Sequence, residues 1–271
     1  MGDILAFLQL PFVQRAVFAG LMLAVIAGVM GVIILIRRVS FYGEAIAHSS
    51  LAGVAIGLWL GWYPLAVVMV YAVLLALTLP WLRRTFRLHL DNLLAILLPS
   101  SMGLGVLIFS MLPGYQPEMM SFLFGSMITI RMLDLFLLVV LFSVSVILFA
   151  LFLPRMIFSS LDEEYAALLK VKSIWLERLY EVLLALVIIA GVKLLGVVLI
   201  NALLIIPASA AKLISGSLYG WVWTSVGMSV FIVVGGLLLS LGFNAPPGSA
   251  IAVFAGVVFV VVAGVSKVRL K

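Results

Sequence analysis

The chain has 271 residues, of which 66% are hydrophobic and 10% charged, and its formal charge is +6. So apolar a composition cannot cover a water-facing surface, which excludes an ordinary soluble domain. The lack of cysteine excludes disulfides, thiolate metal sites and cysteine nucleophiles.

Apolar runs of about 20 residues, each long enough to cross a bilayer as a helix, recur along the chain. They span 12–36, 41–61, 62–82, 91–112, 132–153, 179–194, 195–211, 217–241 and 246–266. The short alternating segments of a transmembrane barrel are missing. The expected fold is therefore an all-α polytopic membrane protein with about eight or nine transmembrane helices. The sixth and seventh runs form one stretch broken near Gly196, so the helix count between 176 and 213 stays open. No secretory signal is expected at the N-terminus.

Orientation follows from where Lys and Arg fall. With nine crossings and the N-terminus outside, 13 of the 16 basic residues lie on the cytoplasmic side, and only Arg15, Arg131 and Lys193 lie near the outer side. The C-terminus is then cytoplasmic. The positive charge reads as this cytoplasmic bias and not as a nucleic-acid partner. Lys193 is expected to snorkel to the outer interface. Asp91 is expected to cap the run that follows it. The longest polar stretch, 154–178, is read as a cytoplasmic loop. Within it Ser160 and Glu163 have the spacing of a helix start, and 161–171 is expected to be a short amphipathic helix.

Tyr42-Gly43-Glu44-Ala45-Ile46-Ala47-His48 lies at the start of the second run. On a helix, positions four apart share a face, so Glu44 and His48 can point at one spot. A carboxylate and an imidazole together suit borderline divalent ions such as Mn²⁺, Fe²⁺ or Zn²⁺. Two copies related by a two-fold axis would supply four such ligands. Ionisable groups within a span are costly and usually mark a pathway. Spacing alone does not separate an ion site from a proton relay, or from a solvated pair beside Arg37 and Arg38. Ser100, Asn201 and Ser209 also fall in apolar runs, as candidate pathway-lining residues or as interhelical hydrogen-bond partners. His89, in a basic stretch, is expected to face cytoplasmic water. No phosphate-binding loop, zinc-protease motif or nucleophile elbow is present. Any energy for uphill transport must then come from another polypeptide or from an ion gradient. A proton-coupled secondary transporter is the alternative reading.

Several stretches taken together resemble the ABC-3 metal-ion permeases, the membrane subunits of bacterial zinc, manganese and iron importers. YGEAIAHSSLAGVAIG at 42–57 is similar to their G-D-A-I-S-H-A-x-L-P-G-V-A region, and FLFGSMITI at 122–130 to their L-F-G-S-I-L stretch. SLDEEYAALLKV at 160–171 resembles their cytoplasmic F-D-E-E-x-A-x-x-x-G-V helix, and NALLIIPASAAKL at 201–213 their A-L-L-I-x-P-A-A-T-A segment. NAPPGSAI at 244–251 is similar to their last outer turn. The matches run in the family's order over most of the chain.

The resemblance implies one permease domain over 1–271 with a type II ABC importer-like fold, placed in the bacterial plasma membrane as a homodimer. Two cytoplasmic ATPase subunits and an extracytoplasmic metal-binding protein are the implied partners. No permanent cofactor is implied, only a transported divalent ion (Mn, Zn or Fe). The metal-contacting acid and histidine fall on Glu44 and His48. The helix that docks on the ATPase falls on 161–171, through Leu161, Asp162, Glu163, Glu164 and Ala166. The sequence departs from the family pattern at Glu44, where Asp is usual, and at Ser50, Ala52, Ala95 and Lys170.

Overall fold

The computed structural model describes residues 11–113, 131–161, 173–243 and 245–269. Among them are nine helices: α1 Pro11–Arg37, α2 Tyr42–Trp59, α3 Pro64–Phe86, α4 Leu90–Ser110, α5 Met132–Leu161, α6 Ser173–Leu195, α7 Val197–Ile214, α8 Leu218–Phe243 and α9 Pro247–Arg269. Each corresponds to one of the nine apolar runs. α6 and α7 are separate helices, because Gly196 between them takes φ 90°, a conformation that costs glycine little and other residues much. Arg38 and Arg87 also take positive φ, 57° and 53°, where α1 and α3 end.

Seven of these helices are long and apolar enough to cross a bilayer. The other two are α2, which carries Glu44 and His48, and α6, which carries Glu177, Arg178, Glu181 and Lys193. α2 nevertheless buries 13 of its 18 residues, most of them Ala, Gly, Ser and aliphatic. A helix surrounded by protein needs no continuous lipid-facing surface, which is how this one tolerates Glu44, His48 and two serines. α9 is the converse, with only 11% of its most apolar stretch buried among the described residues.

Small residues let the central helices approach closely. A Cβ on Gly105 of α4 would lie 2.9 Å from the Ala52 backbone nitrogen of α2. One on Gly28 of α1 would lie 2.8 Å from the Val226 Cα of α8. Polar side chains add interhelical hydrogen bonds: Ser225 Oγ donates to the Gly28 carbonyl at 2.7 Å, Trp221 Nε1 to the Ala208 carbonyl at 2.7 Å, and Tyr180 OH to the Met30 carbonyl at 3.0 Å. α3, α4, α5 and α7 carry internal prolines at 80, 99, 154 and 207, tolerated in membrane helices where neighbours satisfy the freed carbonyls.

Two expectations are corrected. Lys193 is not a lone snorkelling cation. Its Nζ lies 2.5 Å from Asp134 Oδ1 and donates to Tyr63 OH at 3.1 Å. A carboxylate almost fully buried at the start of α5 needs a cation, and the end of α6 supplies it. Nor does Asp91 cap α4: the N-cap residue is His89, without a side-chain cap hydrogen bond, and Asp91 sits inside the first turn. There it still faces the positive end of the helix dipole. Of the segment expected to form the 161–171 helix, only Leu161 is described, as the last residue of α5, with Ser160 in the turn before it. Asp162, Glu163, Glu164 and Ala166 lie outside the described residues.

Candidate metal-ion site

The corner between α1 and α2 sets the site. α1 ends at Arg37, the chain turns through Arg38 in the left-handed region, and the Val39 amide donates back to the Ile34 carbonyl at 3.2 Å. α2 then starts at Tyr42, which is buried, so the next residues enter the helix in a fixed rotation. From Tyr42 to Ala55 only Glu44 and His48 are not buried: Glu44 is exposed and His48 half-buried. They share one helical face, about 5–6 Å apart between Cβ atoms. His48 Nδ1 is buried without a hydrogen-bond partner among the described residues. Of the two, Glu44 is the one left open by the described residues.

This arrangement places one oxygen and one nitrogen donor on an otherwise packed surface. Among the described residues no three His, Asp or Glu side chains converge as a metal cluster within the protomer. The described residues of one protomer therefore bring two candidate donors together here.

The other candidates stand apart. Ser100 is exposed on α4, one position before Ser101, which is buried and accepts from Tyr71 OH at 3.3 Å. Asn201 of α7 packs against α2 at Gly43, where a Cβ would lie 2.8 Å from its Oδ1. That places it about 100° around the helix from Glu44, so it backs α2 without joining the pair. The Asn201 Oδ1 is itself buried and without a partner among the described residues. Ser209 is half-buried on α7, two residues past Pro207. His89 is exposed, as expected.

Two polar clusters escaped the sequence reading. One is Asp134, Lys193 and Tyr63 at one end of the bundle: Tyr63 OH donates to Asp134 Oδ1 at 2.6 Å and the Arg131 amide to Oδ2 at 3.0 Å. Alternating helix directions alone put residues 63, 134 and 193 at the same end, which was the available signal. The other joins α1 to α6. The Arg37 guanidinium lies 3.7 Å from Glu177 and stacks over the Tyr180 ring at 4.9 Å from its centre.

The architecture is that of an ABC importer permease. It superposes on PsaBC from Streptococcus pneumoniae, solved in complex with a Fab, with a TM-score of 0.85 at 26% identity, covering 96% of this chain and 94% of that one. An inward-facing putative metal-chelate type ABC transporter shares the fold with a TM-score of 0.68 at 20% identity, over 92% of this chain and 85% of that one. The chain belongs to the ABC 3 transport family, which it matches over residues 9–266. Among its relatives is the high-affinity zinc uptake system membrane protein ZnuB of Haemophilus influenzae, 28% identical over 90% of this chain and 94% of that protein. Another is the manganese transport system membrane protein MntC of Listeria monocytogenes, 26% identical over 93% and 90% respectively.

Proposed function

We propose that this chain is the membrane subunit of an ATP-driven importer of divalent transition-metal ions, in which Glu44 and His48 hold the ion in transit. The observation that carries the reading is the rotation of α2. Over its first 14 residues it hides every side chain except one carboxylate and one imidazole a turn apart. Lipid would penalise that pair heavily, so a second polar surface must cover it. A second copy of the chain across a two-fold axis supplies the same two donors and brings the set to four.

Ser100, Asn201 and Ser209 act as secondary pathway or packing residues. The segment 161–171, including Leu161, Asp162, Glu163, Glu164 and Ala166, docks on a cytoplasmic ATPase. An extracytoplasmic binding protein delivers the ion at the outer mouth. The N-terminus is outside and the C-terminus cytoplasmic, supported by the distribution of basic residues. Transport proceeds by alternating access, with binding tight enough to select the ion and weak enough to release it.

The test is uptake of radiolabelled Mn²⁺ and Zn²⁺ by proteoliposomes holding the permease, its ATPase and its binding protein. Losing an outer-sphere partner of a metal ligand costs about 10- to 100-fold in affinity, and a direct ligand costs at least as much. His48→Ala and Glu44→Ala are each expected to lower uptake at least to that extent. Unchanged uptake in both variants removes the site. Uptake by the permease alone under a pH gradient would favour a proton-coupled transporter instead.

A further inference from the structure

We propose that Arg37 ties the base of α6 to the corner that launches α2, so that movement of α6 is passed to Glu44 and His48. The inference rests on the reading above, that the segment preceding α6 docks on an ATPase and that α2 holds the ion. α6 begins at Ser173, directly after that segment in sequence. Its second turn carries Glu177 and Tyr180, and both engage Arg37, the last residue of α1. Tyr180 is fully buried and its hydroxyl donates to the Met30 carbonyl of α1. The base of α6 is thus fastened to α1 at two levels, about two turns apart along α1.

Four residues separate Arg37 from Tyr42, and they leave little slack. Arg38 holds a left-handed conformation that a non-glycine residue keeps only where its surroundings enforce it. The Tyr42 amide donates to the Val39 carbonyl at 3.0 Å, and the Ala45 amide to the Phe41 carbonyl at 3.0 Å. The Tyr42 side chain is buried, on the flank of α2 away from Glu44. A shift of Arg37 therefore cannot be absorbed in the corner and must move the first turns of α2. Those turns are the ones that present Glu44 and His48.

Charge supplies the grip and stacking the direction. A planar guanidinium can hold a carboxylate and lie on a ring at once, which an ammonium does less well. Arg37, Glu177 and Tyr180 are positioning residues here, acting on the ion only through α2.

The experiment measures ATP hydrolysis and metal uptake together in the reconstituted complex, for wild type, Glu177→Gln, Arg37→Gln and the exchanged pair Arg37→Glu/Glu177→Arg. Elemental analysis of equilibrium metal binding accompanies each. Variants along a coupling route change coupling severalfold, so ions moved per ATP should fall on the order of tenfold in each single variant. Hydrolysis and equilibrium metal binding should stay within about twofold of wild type, and the exchanged pair should recover part of the ratio. An unchanged ratio in both single variants overturns the inference, as does a parallel fall in hydrolysis and uptake, which marks a purely structural contact. Glu44→Ala and His48→Ala, run alongside, separate the two readings: if both leave uptake intact, the ion site fails, whatever the Arg37 variants do.

Discussion

Replacing Lys193 by Met tests how much the Asp134 cluster contributes to the assembled bundle. Asp134 has only 2% of its side chain exposed and receives three contacts, from Lys193 Nζ at 2.5 Å, Tyr63 OH at 2.6 Å and the Arg131 amide at 3.0 Å. Removing one partner of a fully buried ion pair costs about 3–5 kcal/mol, because the remaining charge is left uncompensated. Lys193 is 24% exposed, so water screens part of that, and two of the three contacts to the carboxylate survive. About 2–3 kcal/mol is expected on those grounds. For a chain of this size that corresponds to a fall in Tm of about 5–10 °C, read in detergent at one fixed scan rate because unfolding of such proteins is often irreversible. The double variant Asp134→Asn/Lys193→Met removes both charges. The Asn amide oxygen can take the place of Oδ2 and still accept from the Arg131 amide, while its NH2, in the place of Oδ1, donates to the Tyr63 hydroxyl, so the double variant should melt above the single Lys193→Met. If the double variant is as unstable as the two single variants summed, the pair is not coupled and the account of Lys193 is wrong.

Gly105→Ala places a Cβ 2.9 Å from the Ala52 amide nitrogen and 3.0 Å from the Leu51 carbonyl carbon. It should cost about 1–3 kcal/mol by forcing α4 away from α2, visible as a lower Tm, whereas Gly103→Ala, with nothing within 4 Å, should change it little. Orientation is tested by adding single cysteines to a chain that has none. Ser110→Cys at the end of α4 should react with a membrane-impermeant maleimide from outside intact cells, and Ser217→Cys before α8 only after permeabilisation. The opposite pattern would invert the topology.

The run lengths made the nine helices legible, because lipid demands about 20 apolar residues for each crossing whatever the fold. The break at Gly196 was legible too, since only a residue without Cβ suits that conformation. Glu44 and His48 could be paired from their spacing alone, because helical period fixes which residues share a face. Spacing could not tell whether that face looks into the protein, into lipid or towards a partner. That depended on which sides of α2 its neighbours cover, and Gly105, Gly43 and Gly53 mark those sides only once their neighbours are known.

Lys193 shows the same limit from the other direction. As a lone cation near the end of an apolar run, it reads by itself as a side chain reaching for water. Its partner lies 59 residues away in sequence, on a helix whose position in the bundle no local pattern encodes. Helix existence, approximate length and which residues share a helical face are set by neighbours within a turn or two, so the sequence alone determined them. The ion pair, the grip of Arg37 on α6 and the uncovered face of α2 arise where distant helices meet, so only the tertiary packing could decide them.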